Sequence, residues 1–162
     1  MALSIKPYIE NKERIHLIGI GGVSMNSLGE LLLSRGVPIS GSDRLRTDVT
    51  ARLEALGAKI TYEHKPENVE GASLIVRTAA VHDDNPEIVR AHELGIPVME
   101  RAEAWGHLMR DYDNVVCLAG THGKTTSTSM MTLMTMEAQM DPTVMVGSNP
   151  VSYTHLRAHE TG

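Results

Sequence analysis

The sequence predicts an α/β fold in which a parallel sheet is flanked by helices. Short apolar runs of strand length alternate along the chain with stretches whose apolar residues recur at helical spacing. Glycines stand where the helices would end and where two strands would turn into helices. Such regular alternation is typical of a doubly wound parallel sheet.

The elements can be assigned in order from these signals. The first strand runs into Gly21-Gly22, and apolar residues at helical spacing follow at once. Asn85-Pro86 has the order of a helix cap followed by a proline at the first helical position, which favours a structural role. We predict strands at residues 14–20, 37–40, 59–61, 74–77 and 96–99, and helices at residues 23–35, 48–56, 85–92 and 102–110.

A second domain is predicted to begin near Asp111, after a polar segment. Residues 115–119 form an apolar run of strand type, residues 125–138 a methionine-rich helix, and residues 143–146 a further strand. Two strands would leave this sheet unfinished, because sheets commonly have about four to six. The predicted organisation is a first domain at 1–111, the start of a second at 112–148, and a tail at 149–162 of non-native character.

Composition narrows the function classes. The chain has 162 residues and a net charge of -5, with no block of basic residues, so we expect neither a nucleic-acid nor a membrane partner. No apolar run approaches the roughly 20 residues that span a bilayer, and the amino-terminal segment lacks the apolar core of a signal peptide. One cysteine, Cys117, agrees with a reducing compartment and is expected in the core. A cytoplasmic protein is predicted.

The strongest motif is a glycine-bearing turn between a predicted strand and helix. Backbone N–H groups in such a turn can point at an anion beside the positive end of the helix, which suits phosphate. Lys124 would reach the β- and γ-phosphates of ATP, and the Thr125 hydroxyl would coordinate Mg²⁺. The pattern is imperfect, because Leu118 stands where the full motif has glycine. The predicted ATP-binding residues are Gly120, Thr121, His122, Gly123, Lys124, Thr125 and Thr126.

An earlier glycine turn predicts a nucleotide diphosphate site. Gly19 and Gly21 follow the first strand, although Ser24 replaces the third glycine of the usual dinucleotide pattern. Asp43 ends the second strand, where a carboxylate can accept a hydrogen bond from a ribose hydroxyl. Spacing alone leaves NAD, or a simple tight turn, open at this position.

Histidines give weaker signals. His122 lies within the later turn, where it could contact an anionic substrate or only shape the loop. His155 and His159 are four residues apart, but no third ligand is evident, so a metal site there is not favoured.

Five segments stand out in their order and spacing. They are residues 15–30 (IHLIGIGGVSMNSLGE), 40–43 (SGSD), 84–87 (DNPE), 101–103 (RAE) and 120–126 (GTHGKTT). Together they resemble one family, the Mur ligases of peptidoglycan synthesis, which serve growth of the cell wall. Among its members the resemblance favours the one that joins L-alanine to UDP-N-acetylmuramate, because of the paired glycines and the histidine in the later turn. The resemblance covers about residues 1–148.

The resemblance implies a UDP-sugar-binding Rossmann-like domain, a P-loop ATPase domain and a third domain for the amino acid. It also implies catalysis through Lys124, which would stabilise charge on the transferring phosphoryl group, and a metal contact from Thr125. The implied UDP-sugar-binding residues are Gly21, Gly22, Val23, Ser24, Met25, Ser42, Asp43, Thr78, Ala79 and Ala80.

Two departures from the family pattern bear on that site. Ser24 stands where the family usually has glycine, which would strain the loop if the position needs a positive φ. Thr78-Ala79 replaces a usual pair of serines. The resemblance also implies that the L-alanine site lies beyond this chain, which would then be inactive by itself. A peptidoglycan-recycling ligase and a non-catalytic nucleotide-binding module remain alternatives.

Overall fold

A computed structural model describes residues 3–140 and 142–144, and it contains a five-stranded parallel sheet. The order across the sheet is β3-β2-β1-β4-β5, so the chain moves outward from β1 in one direction and then crosses back to continue on the other side. The strands are β1 Ile15–Ile18, β2 Ile39–Ser42, β3 Lys59–Thr61, β4 Leu74–Arg77 and β5 Val98–Glu100.

Helices connect these strands in the manner predicted. Two helices were not expected from the sequence: a short one before β1, and a single turn of 3-10 helix at Pro66–Val69. The α-helices are α1 Lys6–Glu10, α2 Val23–Ser34, α3 Asp48–Ala55, α4 Pro86–Glu93, α5 Arg101–Met109 and α6 Lys124–Glu137. None of the described helices is long and apolar enough to cross a membrane.

The core lies on both faces of the sheet. Because side chains alternate along a strand, Leu17 and Ile18 face opposite ways, and they belong to two separate apolar clusters. The larger cluster contains the apolar faces of α2 and α5, and the smaller one packs α4 and the 3-10 turn through Val69 and Ile88. The predicted parallel α/β sheet is thereby confirmed.

The described residues divide into two compact units between Asn114 and Val115. The first unit holds the whole sheet. Asp111 accepts from the ammonium of Lys6, and this ion pair joins α1 to the end of the first unit. In the second unit, α6 is the single regular element among the described residues.

The predicted strand at residues 115–119 is wrong, because that segment has no strand geometry in the structure. A strand needs a hydrogen-bonded neighbour, and no described segment pairs with this one. Cys117 is consequently exposed rather than in the core, and the Val116 side chain is 65% exposed. Of the strand predicted at 143–146, residues 143 and 144 form none, and the remainder lies outside the described residues, as do His155 and His159.

Candidate functional site

The predicted nucleotide-sugar residues lie at the carboxyl ends of three neighbouring strands. The turn after β1 contains Gly21 and Gly22, β2 ends at Ser42, and Thr78 follows β4. The chain reverses its direction across the sheet between β1 and β4, and ligands of open α/β sheets bind at such a switch point. The fold therefore brings these sequence-distant segments to one edge.

The first glycine loop, residues 19–22, is held in shape by the end of β2. The N–H groups of Gly19 and Ile20 both donate to the carbonyl of Ser42, at 2.8 and 3.1 Å. Gly19 has a φ of +77°, and the Gly22 N–H closes the turn onto the Gly19 carbonyl at 3.0 Å. A glycine at position 19 is required by that left-handed backbone.

Asp43 also supports this loop. Its Oδ2 accepts from the Gly21 N–H at 2.8 Å, and its Oδ1 accepts from the N–H groups of Arg44 and Leu45 at 2.7 and 3.2 Å. A carboxylate offers about four acceptor positions, so room for a ribose hydroxyl remains on a side chain that is half-buried. The sequence suggested only the ribose contact and missed the contact with the loop.

The amino terminus of α2 is open toward the same edge. Its cap, Gly22, has extended backbone and no side chain to bond the first-turn N–H groups. By contrast, α3 and α4 are capped by the side chains of Thr47 and Asn85. An uncapped helix start leaves donors and a partial positive charge available for an anion.

The three residues that follow Gly22 sit in the first turn of α2. Val23 is exposed, Ser24 is half-buried, and the Met25 side chain is fully buried in the core, so Met25 can offer an anion only its backbone. Ser24 is absent from the described non-glycine residues with positive φ, so the serine introduces no strain. Its carbonyl accepts from the indole N–H of Trp105 at 3.3 Å.

The remaining predicted residues border the same edge at β4. Thr78 begins a turn in which its carbonyl accepts from the Val81 N–H at 3.0 Å. Thr78 is half-buried, whereas Ala79 and Ala80 are exposed.

A buried polar cluster behind Ser42 was missed by the sequence reasoning. The Ser42 side chain is fully buried and its hydroxyl donates to Oε2 of Glu87 at 2.7 Å, so the hydroxyl does not face the nucleotide-sugar edge. Glu87 is also fully buried and contacts His16, His64 and Asn68. The helix cap predicted here is confirmed, since Asn85 accepts from the Glu87 N–H at 2.9 Å.

Glu87 is ionised at neutral pH despite its burial. Burial raises the pKa of the carboxyl, but hydrogen bonds from His16, His64, Ser42 and Asn68 together outweigh it, and the net pKa lies below its ordinary value. An ionised carboxylate only accepts, so the ring nitrogen of His16 at 2.9 Å must carry the proton.

The second glycine loop, residues 120–126, has the local geometry of an anion site. Gly123 caps α6 with a left-handed φ of +79°, and no side chain caps the first turn of the helix. The Lys124 ammonium folds back onto the Gly120 carbonyl. The other predicted members of the loop, Thr121, His122, Thr125 and Thr126, are all exposed.

The described residues contain no cluster of three or more histidine, cysteine or acidic side chains suited to a metal ion. Thr125, the metal contact predicted from the sequence, lies in the exposed second glycine loop. A separate cleft of about 310 Å³ lies beside β4 and β5. Its one arginine, Arg77, is already bound to Asp83 and Glu100, so this cleft does not offer an unpaired cation to a phosphate.

Comparison with known proteins decides the family. The model described as the Mur ligase family, catalytic domain, matches residues 14–113, which is more than half of the chain. The chain belongs to the Mur ligase family. The match includes all five strands and the first glycine loop, and it ends before the second loop.

Relatives in this family share much of the sequence. The chain is 46% identical over 140 residues to the UDP-N-acetylmuramate--L-alanine ligase of Clostridium novyi and 49% identical over 143 residues to that of Clostridium botulinum. The alignments cover 86% and 88% of this chain. The chain spans about 31% of the length of these relatives.

Solved structures agree with the Mur ligase assignment. The UDP-N-acetylmuramate-alanine ligase of Thermotoga maritima matches with a TM-score of 0.82 at 35% identity, covering 88% of this chain and 34% of that one. The UDP-N-acetylmuramate:L-alanyl-gamma-D-glutamyl-meso-diaminopimelate ligase of Neisseria meningitidis matches with a TM-score of 0.79 at 26% identity, covering 86% and 44%.

Proposed function

We propose that this chain is the nucleotide-sugar-binding part, with the start of the ATP-binding part, of an enzyme that ligates L-alanine to UDP-N-acetylmuramate. The enzyme would act in the cytoplasm, in peptidoglycan synthesis. The proposal rests on membership of the Mur ligase family and on relatives of that name at 46% and 49% identity. Those relatives are about three times as long, so the L-alanine site is assigned to the length that this chain does not cover.

The nucleotide-sugar assignment rests on the start of α2, where no side chain caps the helix. The first glycine loop precedes it and is held by hydrogen bonds to Ser42 and Asp43. Gly21, Gly22 and the backbone of Val23, Ser24 and Met25 would surround the diphosphate of UDP-N-acetylmuramate, which is stabilised by the helix's positive end. Asp43 would accept from the ribose, and Thr78, Ala79 and Ala80 would border the sugar. Ser42 would support the site indirectly: its carbonyl holds the first glycine loop, whereas its hydroxyl is bound to Glu87.

The second glycine loop would hold the phosphates of ATP. Its uncapped helix start and its exposed lysine fit a phosphate chain. Lys124 would exchange the Gly120 carbonyl for the β- and γ-phosphates, and Thr125 would provide one oxygen ligand to Mg²⁺. Bound Mg²⁺ would neutralise charge on the phosphate oxygens.

The proposed reaction has two steps. The carboxylate of UDP-N-acetylmuramate attacks the γ-phosphorus of ATP, giving an acyl phosphate and ADP. The amine of L-alanine then attacks the acyl carbon, the carbon–oxygen bond breaks to release phosphate, and the nitrogen loses a proton to leave an amide. Lys124 contributes electrostatic stabilisation to the first step, because negative charge spreads over the transferring phosphoryl oxygens.

The test is phosphate release by the full-length gene product with UDP-N-acetylmuramate, L-alanine and MgATP. Release that requires all three is the expected result. No release under these conditions would refute the proposal. The same assay with the tripeptide L-alanyl-γ-D-glutamyl-meso-diaminopimelate in place of L-alanine tests the recycling reaction, which the 0.79 TM-score to the Neisseria ligase makes the second candidate.

A further inference from the structure

The buried cluster around Glu87 joins five separate segments at one carboxylate. Oε1 accepts from His16 at 2.9 Å and from Asn68 at 3.0 Å, while Oε2 accepts from Ser42 at 2.7 Å and from His64 at 2.6 Å. These partners come from β1, the 3-10 turn, β2 and the segment after β3, and Glu87 itself lies in the first turn of α4. Both oxygens are fully used.

Among the described residues, the contacts of this carboxylate include no lysine or arginine. Its partners are two imidazoles, a hydroxyl and an amide, so the charge is stabilised by four directed donors. Directed bonds fix geometry more strictly than a mobile ammonium would. Ser42 and Glu87 are both fully buried, and their 2.7 Å bond is shielded from water.

The contacts continue from Ser42 into the first glycine loop. The hydroxyl of Ser42 is held by Glu87, while the carbonyl of the same residue accepts from the N–H groups of Gly19 and Ile20. The next residue, Asp43, accepts from the Gly21 N–H. Two consecutive residues at the end of β2 therefore support three consecutive N–H groups of the loop.

We propose that Glu87 is a positioning residue for the nucleotide-sugar site, acting through Ser42 on the first glycine loop. Glu87 touches no part of the ligand. It fixes the side chain of Ser42, and this fixes the carbonyl on which the turn between β1 and α2 is built. The ligand part of this inference rests on the proposed function, whereas the loop part does not.

Native-state hydrogen exchange of the 162-residue chain tests the loop part without any ligand. In Glu87→Gln, one oxygen becomes an amide donor, so the two donors bound to that oxygen lose their acceptor. Protection of the Gly19 and Ile20 amides should fall about tenfold more than protection of the Ile75 amide in β4, because the loop loosens locally. An equal fall at all three amides would mean a purely structural role and overturn the inference.

Two further variants keep the test decisive. Ser42→Ala removes the hydroxyl's contacts with Glu87 and His64 and leaves the three other hydrogen bonds to Glu87. It therefore serves if Glu87→Gln fails to fold, and it should give the same local pattern. Glu93→Gln, on the exposed side of the same helix, should leave loop protection unchanged. Equal loop loosening by Glu93→Gln would overturn the inference.

Binding provides the second readout. Glu87→Gln should weaken UDP-N-acetylmuramate binding about tenfold, measured on chain that remains folded, because the diphosphate donors lose their fixed positions. Unchanged affinity would contradict the positioning role. Failure of the unmodified chain to bind would refute the proposed nucleotide-sugar site, and the exchange pattern would still decide whether Glu87 positions the loop.

Discussion

The backbone N–H of Gly21 donates a 2.8 Å hydrogen bond to Oδ2 of Asp43. A Cβ atom added at Gly21 would lie 2.8 Å from the same oxygen and 3.1 Å from a methyl of Thr50. The Asp43 carboxylate can therefore occupy its position only because residue 21 has no side chain.

We expect Gly21→Ala to displace Asp43 and loosen the first glycine loop. The free energy of unfolding should fall by about 2 kcal/mol, as for other overpacked sites. Affinity for UDP-N-acetylmuramate should fall with it. Urea unfolding and calorimetry on the same samples measure both effects.

Gly106→Ala is the matched control. Gly106 lies within α5, and an added Cβ there would meet no atom within 4 Å. Alanine in a helix interior should raise stability by roughly 0.5 to 1 kcal/mol. Equal losses of stability for the two variants would contradict the close contact described at Gly21.

Gly41→Ala should be more damaging than Gly21→Ala. An added Cβ in the middle of β2 would lie 2.6 Å and 2.8 Å from two atoms of Ile20 and 2.9 Å from the Leu17 carbonyl. The Leu17 carbonyl and the Ile20 Cβ cannot move aside by a rotamer change. We therefore expect the free energy of unfolding to fall by about 3 kcal/mol. Thermal unfolding measures the stability of this variant. An unchanged unfolding midpoint would contradict the close packing of β1 against β2 at Gly41.

Local signals in the sequence predicted most of the first unit. The third and fourth strands were predicted at 59–61 and 74–77 and are found at Lys59–Thr61 and Leu74–Arg77. Each of these two strands is a short apolar run, and a neighbouring glycine or turn marks where it ends. The strand predicted at 115–119 had the same local signal but no described partner, so composition alone gave the wrong answer there.

Long-range contacts could not be predicted in the same way. Asn85-Pro86-Glu87 gave a correct helix cap, but nothing local indicates that Glu87 meets His16, which is 71 residues away. Gly41 likewise had no visible role before the packing of Ile20 was known. A buried glutamate beside two histidines becomes recognisable only once the sheet order is fixed.

Acid should remove the stabilisation that Glu87 provides. Its pKa is lowered in the folded state, so its contribution is present above the unfolded value of about 4.3 and is lost as pH falls through the folded value. Urea unfolding should place Glu87→Gln about 2 kcal/mol below the unmodified chain at pH 7, and this gap should narrow below pH about 4.3.

His16 and His64 are the other titratable groups that contact the carboxylate, and both remain in Glu87→Gln. For Glu93→Gln, the free energy of unfolding should change with pH in the same way as for the unmodified chain. A gap that stayed constant down to pH 3 would contradict an ionised Glu87.

Trp105 should report ligand binding at α2. It is the one tryptophan of the sequence, and its indole donates to the carbonyl of Ser24 in the first turn. We expect saturable change in its fluorescence on addition of UDP-N-acetylmuramate and none on addition of L-alanine alone. A flat signal while calorimetry detects binding would place the ligand elsewhere.

Lys124→Ala should lower phosphate release by the full-length enzyme about 100-fold or more, because a preorganised charge on the phosphoryl group is lost. Binding of UDP-N-acetylmuramate should change little. Lys59→Ala, an exposed lysine on β3, is the control and should retain activity. Retained activity in Lys124→Ala would remove the second glycine loop from the reaction.

The most direct measurement is calorimetric titration of the 162-residue chain with UDP-N-acetylmuramate and, separately, with NADH. We expect one-to-one binding of UDP-N-acetylmuramate that is weakened in Gly21→Ala and unchanged in Gly106→Ala, with no binding of NADH. Binding of NADH, or binding of neither ligand by the folded chain, would contradict this expectation.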